Sequence, residues 1–277
     1  MYNFNGQVAN DFHISVTQNR AFLYGDAVFE TIRVNNNKVL FLEDHYFRLM
    51  ASMRILRMEI PMYFTMEFFE DEIKKLITNC PNSISYRVRI TVYRESDGFY
   101  VPKTNAVSFL IQAQPLVSDV YEIVEKSYEV ELFKDYSINA QLLSTLKSTN
   151  RMVQITAGIF AKENEYNNSL LLNTNKNVAE ATNSNLFLIL DKNIITPPLE
   201  DGCLNGIMRK QILRVLKDNT EFNVQEKSIS PFDLQKADEL FLTNVITGIQ
   251  PITKYRKKIF EIDQSIKILN ILNSSLF

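Results

Sequence analysis

Two charged residues stand in settings where charge is otherwise scarce. Lys147 closes the run Leu142-Leu-Ser-Thr-Leu-Lys147, with no further charge until Arg151, and Glu180 follows 33 residues later between Ala179 and Ala181. A half-buried lysine of this kind is a candidate for a Schiff base with an aldehyde, because desolvation lowers its pKa and supplies the neutral amine. A glutamate held close by can stay ionised and hold a cationic ring nitrogen. Spacing alone leaves the plainer reading open: a surface lysine before a helix and a loop glutamate before a strand.

The elements that must position these residues can be read from periodicity. Residues 150–161 carry Met152, Ile155, Thr156 and Ile159 at helical spacing, so Lys147 stands just before a helix. Residues 169–172 read as an interior strand, 173–177 as a turn and 178–190 as a strand pair or broken strand, which makes Glu180 part of the framework. Asn205-Gly206-Ile207-Met208-Arg209 opens a helix continued by Ile212, Val215 and Leu216. The N–H groups of Ile207 and Met208 can then face an anion, with Gly206 permitting close approach. A glycine at a helix start is equally an ordinary turn or cap. A later strand ends at Thr243-Asn244, leaving donors before Val245. Ser230-Pro231-Phe232-Asp233 is a capped helix entry, and the last helix uses Ile262, Ile266, Leu269 and Leu272.

The N-terminal part reads as strands and two helices. After a break at Gly25-Asp26, Val28, Glu30 and Ile32 alternate with Phe29, Thr31 and Arg33, and residues 35–37 form a hairpin turn. The first helix presents Tyr46, Leu49, Met50, Met53 and Leu56 as a stripe, with Arg48 beside it as a solvated residue or an anion ligand. The second runs over 66–77, capped by Thr65. In the strand 86–94, Arg87, Arg89, Thr91 and Tyr93 share one face, which is either aqueous surface or a carboxylate site. Pro115 and Asp119 mark a linker. The expected organisation is a smaller domain over 1–113, a linker over 114–121 and a larger domain over 122–277, with a strand over 122–133 and a loop over 135–139.

Bulk properties exclude several classes. With 45% apolar residues in 277 the chain can bury a sizeable core, and a net charge of -2 announces no basic face for nucleic acid. No apolar run approaches the roughly 20 residues that span a bilayer, and the N-terminus lacks the pattern of a signal peptide, so a cytoplasmic protein without membrane contact is expected. Two distant cysteines, Cys80 and Cys203, suit a reducing compartment, and His13 and His45 form no metal-ligand cluster.

Five ordered segments carry a resemblance: Phe22-Leu-Tyr-Gly-Asp-Ala-Val-Phe-Glu-Thr-Ile-Arg33, Leu146-Lys-Ser-Thr-Asn-Arg151, Ala179-Glu-Ala-Thr-Asn-Ser-Asn-Leu-Phe187, Leu204-Asn-Gly-Ile-Met-Arg209 and Glu239-Leu-Phe-Leu-Thr-Asn244. Together they resemble the signatures of class IV, fold-type IV pyridoxal-phosphate enzymes, the group of branched-chain and D-amino acid aminotransferases and 4-amino-4-deoxychorismate lyases. The resemblance implies an α/β (α+β mixed) fold of two domains, a smaller N-terminal α/β domain and a larger mixed-sheet or barrel-like one. It implies pyridoxal 5'-phosphate as cofactor, with Lys147 catalytic, Glu180 on the ring nitrogen, and Arg48, Gly206, Ile207, Met208, Thr243 and Asn244 around the phosphate. Family members commonly carry hydroxyl residues where this chain has Met208 and Val245, which leaves Thr243 and Asn244 to compensate. Tyr24 and Phe29 near the cleft, and Arg87 or Arg89 facing a substrate carboxylate, are the substrate-side candidates. A homodimer is implied too.

The resemblance also bounds the reaction. Amino transfer between an amino acid and a 2-oxo acid is the first expectation. Elimination of pyruvate from aminodeoxychorismate to give 4-aminobenzoate is the second, favoured by Lys147-Ser-Thr-Asn-Arg151 but not by residues 93–100, which lack the glycine- and arginine-rich stretch common in lyases. Phe29 resembles the aromatic of branched-chain enzymes. A noncatalytic ligand-binding homologue is the third, with both Lys147 and Glu180 kept against it.

Overall fold

The computed structural model describes residues 1–123, 127–217 and 219–276. The chain divides into two compact units, one of Met1–Asp119 with Lys147–Asn150, the other of Val120–Leu146 with Arg151–Phe277.

The first unit contains β1 (Tyr2–Phe4), β2 (Gln7–Ala9), α1 (Arg20–Tyr24), β3 (Ala27–Asn35), β4 (Lys38–Val39), α2 (Leu42–Ile55), α3 (Met66–Thr78), β5 (Ser85–Arg94) and β6 (Val107–Leu116). Its strands form one sheet in the order β2-β1-β6-β5-β3-β4. The alternation in β3 sorts its side chains as the sequence suggests. Val28, Ile32 and Val34 bury against Leu49 and Met53 of α2 and Ile73 and Leu76 of α3, whereas Phe29, Thr31 and Arg33 share the other face with Thr91, Arg89 and Arg87 of β5. Asn36 and Asn37, at φ 47° and 61°, make the left-handed turn into β4. The Thr65 hydroxyl accepts from Phe68 N and caps α3.

Residues 114–116, expected to begin a linker, instead finish β6, with Gln114, Pro115 and Leu116 opposite Arg87, Tyr86 and Ser85. Pro115 is tolerated there because β1 reaches only as far as Gln112, so the missing N–H falls on an edge. Lys147–Asn150, expected in the larger domain, belong to this unit. They lie along β3, with Phe29 N donating to Lys147 O at 2.8 Å and Thr149 N to Ala27 O at 3.0 Å. That edge of β3 is available because β4 pairs only with Val34 and Asn35.

The second unit contains β7 (Glu129–Ile138), α4 (Met152–Glu163), β8 (Asn168–Asn173), β9 (Val178–Ala181), β10 (Asn185–Leu190), β11 (Asn193–Thr196), α5 (Ile207–Lys217), β12 (Asn223–Glu226), α6 (Pro231–Lys236), β13 (Glu239–Asn244), β14 (Gly248–Ile252), β15 (Lys254–Tyr255), β16 (Lys258–Ile259) and α7 (Asp263–Leu276). Two five-stranded sheets result, β12-β11-β10-β13-β14 and β16-β15-β7-β8-β9. They share a core in which Val130, Leu132 and Leu170 meet Leu186, Leu188, Leu240 and Leu242. Parallel β7–β8 and β11–β12 pairs among antiparallel ones make the unit mixed, as expected. Ser230 and Asp233 form the capping box of α6, with Pro231 in the first turn. Buried Glu239 accepts from Gln264 N and Ser265 N and so caps α7.

Four expectations change here. The loop expected over 135–139 is largely strand, since β7 continues to Ile138 across a register shift against β8. The strand expected from 122 begins at Glu129, and its residues 124–126 lie outside the described residues. In α7 the buried set is Ser265, Ile268, Leu269 and Leu272, an i, i+3, i+4, i+7 face that turns Ile266 outward. On α4 the expected stripe points away from the core: Met152, Ile155 and Ile159 are 70%, 52% and 51% exposed, and Ala157 and Ala161 pack inward.

Candidate active site

In the first unit, the strand pairing of residues 147–149 carries Lys147 to the face that Phe29 shares with Arg89. Lys147 is half-buried, with Nζ 4.6 Å from the Phe29 ring centroid, and the Arg89 guanidinium lies 3.7 Å from that same centroid. Burial lowers the Arg89 pKa, with Arg87 next to it on the same face adding repulsion. An amine and a guanidinium on one aromatic ring can address, respectively, a carbonyl carbon and a carboxylate. Tyr24, the last residue of α1, lies under Arg20 and 6.0 Å from Tyr100.

Arg48 sits on α2 behind β3 and is forked onto Glu30, Nε to Oε1 at 2.7 Å and Nη2 to Oε2 at 2.5 Å. His45 Nδ1 lies 2.7 Å from the same Oε2. Burial pushes the Glu30 carboxyl up, yet the Arg48 charge and hydrogen bonds from Arg48 and His45 outweigh it and hold the pKa at about 2. Burial also lowers the His45 pKa, against the opposing pull of Glu30, while Arg48 and Lys147 add to the lowering. The sequence signals neither partnership, because Glu30 and His45 are 15 residues apart and meet only through the packing of α2 on β3.

In the second unit, Glu180 is 5% exposed on β9, with Oε2 accepting from Leu204 N at 2.7 Å and Oε1 from Gln154 Nε2 at 3.2 Å. Leu204 leads into the start of α5, whose first backbone N–H groups, from Ile207 and Met208, have no acceptor within the helix. The side chains of Ile207 and Met208 are buried, which restricts both residues to backbone contacts with any ligand. Asn185, opposite Thr243 across β10 and β13, donates from Nδ2 to Leu204 O at 2.9 Å. Asn185 and Gln154 are supports the sequence did not single out.

The phosphate of pyridoxal 5'-phosphate, the cofactor the sequence resemblance implies, fits this second group. The Thr243 hydroxyl is 2% exposed and has no hydrogen-bond partner in the protein, as expected of a donor kept for a ligand. A Cβ at Gly206 would stand 1.9 Å from Asn185 Oδ1, so the turn before α5 takes glycine while Asn185 keeps its place. Asn244 is engaged differently from Thr243: its Oδ1 accepts from Ile246 N and Thr247 N, and its Nδ2 donates to Ser184 Oγ. Its side chain therefore shapes the turn after β13. Gly206→Ala must swing Asn185 away and break its bond to Leu204 O, costing about 1–3 kcal/mol. Thermal unfolding should show that loss, and cofactor titration a Kd raised about tenfold.

The first unit thus presents a half-buried amine and a guanidinium on one aromatic ring. The chain belongs to the class IV aminotransferase family, whose sequence model, described as amino-transferase class IV, matches residues 27–255. A Thermotoga maritima protein named "probable branched-chain-amino-acid aminotransferase" is 29% identical over 84% of this chain and 79% of its own length. The aminodeoxychorismate lyase of Vibrio harveyi is 24% identical over 84% of each chain. The branched-chain aminotransferase of Thermoproteus uzoniensis has the same fold, with a TM-score of 0.86 at 23% identity, over 98% of this chain and 92% of that one.

Proposed function

We propose that this enzyme uses pyridoxal 5'-phosphate to transfer an amino group between an amino acid and a 2-oxo acid. The observation that carries the reading is the half-buried Lys147 amine sharing the Phe29 ring with Arg89. The cofactor, when bound, supplies an electron sink for the pair left on substrate Cα. Lys147 would carry the proton released at substrate Cα to the cofactor side, and water would then cleave the C=N bond, releasing the 2-oxo acid and leaving the amino group on the cofactor. Glu180, fixed by Leu204 and Gln154, holds a proton on the ring nitrogen. Arg89 or Arg87 takes a substrate carboxylate, and Phe29 and Tyr24 bound the substrate side. At the phosphate end, Gly206 admits the group to the N–H groups of Ile207 and Met208, Thr243 donates its hydroxyl, Asn244 shapes the turn, and Arg48 contributes charge.

Aminodeoxychorismate lyase is the second reading, favoured by Lys147-Ser-Thr-Asn-Arg151 and by the Vibrio harveyi relative. Purified enzyme given an amino acid and 2-oxoglutarate should form glutamate and a new 2-oxo acid. Formation of 4-aminobenzoate and pyruvate from aminodeoxychorismate, with no amino transfer, would reverse the order.

We infer that two copies assemble, because Met152, Ile155 and Ile159 on α4, together with Leu142 and Leu143, leave an apolar face open. Light scattering should return twice the chain mass, and a fully active monomer would refute it. Both cysteines are free, and among the described residues no helix is long and apolar enough to cross a membrane. Those features support a cytoplasmic location, testable by cell fractionation.

A further inference from the structure

The packed face of β3 contains a charge that a core of this kind does not need. Its neighbours Val28, Ile32 and Val34 are apolar, as are Leu49, Met50 and Met53 on α2, yet Glu30 lies between them at 1% exposure. Burying a carboxylate and a guanidinium costs desolvation that a well-packed apolar pair would avoid, so such a pair adds little to stability by itself. What it gives is orientation. The fork from Nε and Nη2 fixes the plane of the Arg48 guanidinium and turns its Nη1 edge away from Glu30.

His45 completes the arrangement. A carboxylate held at a pKa of about 2 is an acceptor only, so the 2.7 Å contact requires Nδ1 to carry the hydrogen. A neutral imidazole then has its lone pair on Nε2, which is buried without a hydrogen-bond partner in the protein. An imidazole kept for packing alone would be expected to satisfy both nitrogens. Here one nitrogen is committed to the carboxylate that aims the arginine.

We propose that Glu30 and His45 are positioning residues for the cofactor's phosphate: Glu30 sets the direction of the Arg48 guanidinium, and His45 sets the rotamer of Glu30. The proposal rests on the reading of Arg48 as a phosphate contact. Removing Glu30 has two opposed effects, since it frees the full charge of Arg48 for an anion and also releases the plane of the guanidinium. Glu30→Gln sets them against each other, and the sign of the change in affinity shows which prevails. The amide puts an NH2 where one carboxylate oxygen stood, facing an Arg48 N–H in either orientation, so at least one arm of the fork is lost. Orientation prevails because a guanidinium grips phosphate through two parallel N–H bonds, and a wandering plane forfeits one of them.

The test compares two ligands on the apo enzyme, pyridoxal 5'-phosphate and pyridoxal, which lacks the phosphate, by absorbance or fluorescence titration. Wild type should prefer the phosphorylated ligand strongly, and Arg48→Met should erase most of that preference. Glu30→Gln should weaken the phosphorylated ligand about tenfold and leave pyridoxal within about twofold. His45→Phe should do the same, and His45→Asn should restore affinity, since its amide N–H can stand where Nδ1–H stood. Equal weakening of both ligands, with a matching fall in Tm, would make the pair merely structural. Unchanged or tighter binding of the phosphorylated ligand by Glu30→Gln would overturn the proposal while Arg48→Met still responds. A null effect of Arg48→Met would instead remove the reading beneath it.

Discussion

Lys147→Ala should lose at least about 1,000-fold in turnover, because the proposed function gives one side chain both the covalent link and the proton transfer. That loss corresponds to about 4 kcal/mol of barrier. Lys147→Arg should fare no better, although it keeps the charge and a cation over Phe29: a guanidinium stays protonated at any working pH and cannot take a proton. The fold should survive both changes, since residue 147 is tied to β3 through its backbone, Phe29 N to Lys147 O at 2.8 Å. Borohydride treatment followed by mass spectrometry should find cofactor fixed to wild type and to neither variant. Added methylamine should restore part of the alanine variant's turnover and none of the arginine variant's. An arginine variant with a tenth of wild-type activity would remove Lys147 from the chemistry.

How far the sequence discloses this depends on whether a feature is local. The two faces of β3 follow from strict alternation after Gly25-Asp26, and the caps at Thr65 and Ser230 are set by three-residue reach. Periodicity gives a stripe without saying what meets it. Met152, Ile155 and Ile159 have the right spacing, but the small Ala157 and Ala161 are what approach the sheet. Likewise 265, 268, 269 and 272 share the buried face of α7, where the expected set was 262, 266, 269 and 272. Contacts across the fold were not legible. Nothing local ties Glu30 to His45 and Arg48, Asn185 to the turn before α5, or residues 147–150 to the edge of β3. Glu180 could be placed on a strand, but its acceptors' partners, Leu204 and Gln154, are 24 and 26 residues away.

Those partners make Glu180→Gln the more informative second test. The carbonyl oxygen of the substituted amide can still accept from Leu204 N, which leaves the amide NH2 toward Gln154. Gln154 meets that change by turning its own amide to offer oxygen, so both contacts are preserved with the charge removed. The variant should therefore unfold close to the wild-type temperature. Its chemistry should change, because a carboxylate favours the protonated form of a nearby ring nitrogen and a neutral amide does not. Turnover near neutral pH is expected to fall roughly 100-fold, a factor of ten for each pH unit by which the nitrogen's pKa drops below the assay pH. The sign follows directly. Lowering the pH reprotonates the nitrogen in the variant, so the deficit relative to wild type should shrink in acid and widen in alkali. Activity measured across the pH range decides it: a deficit that stays constant with pH would mean that Glu180 holds the turn before α5 and no proton.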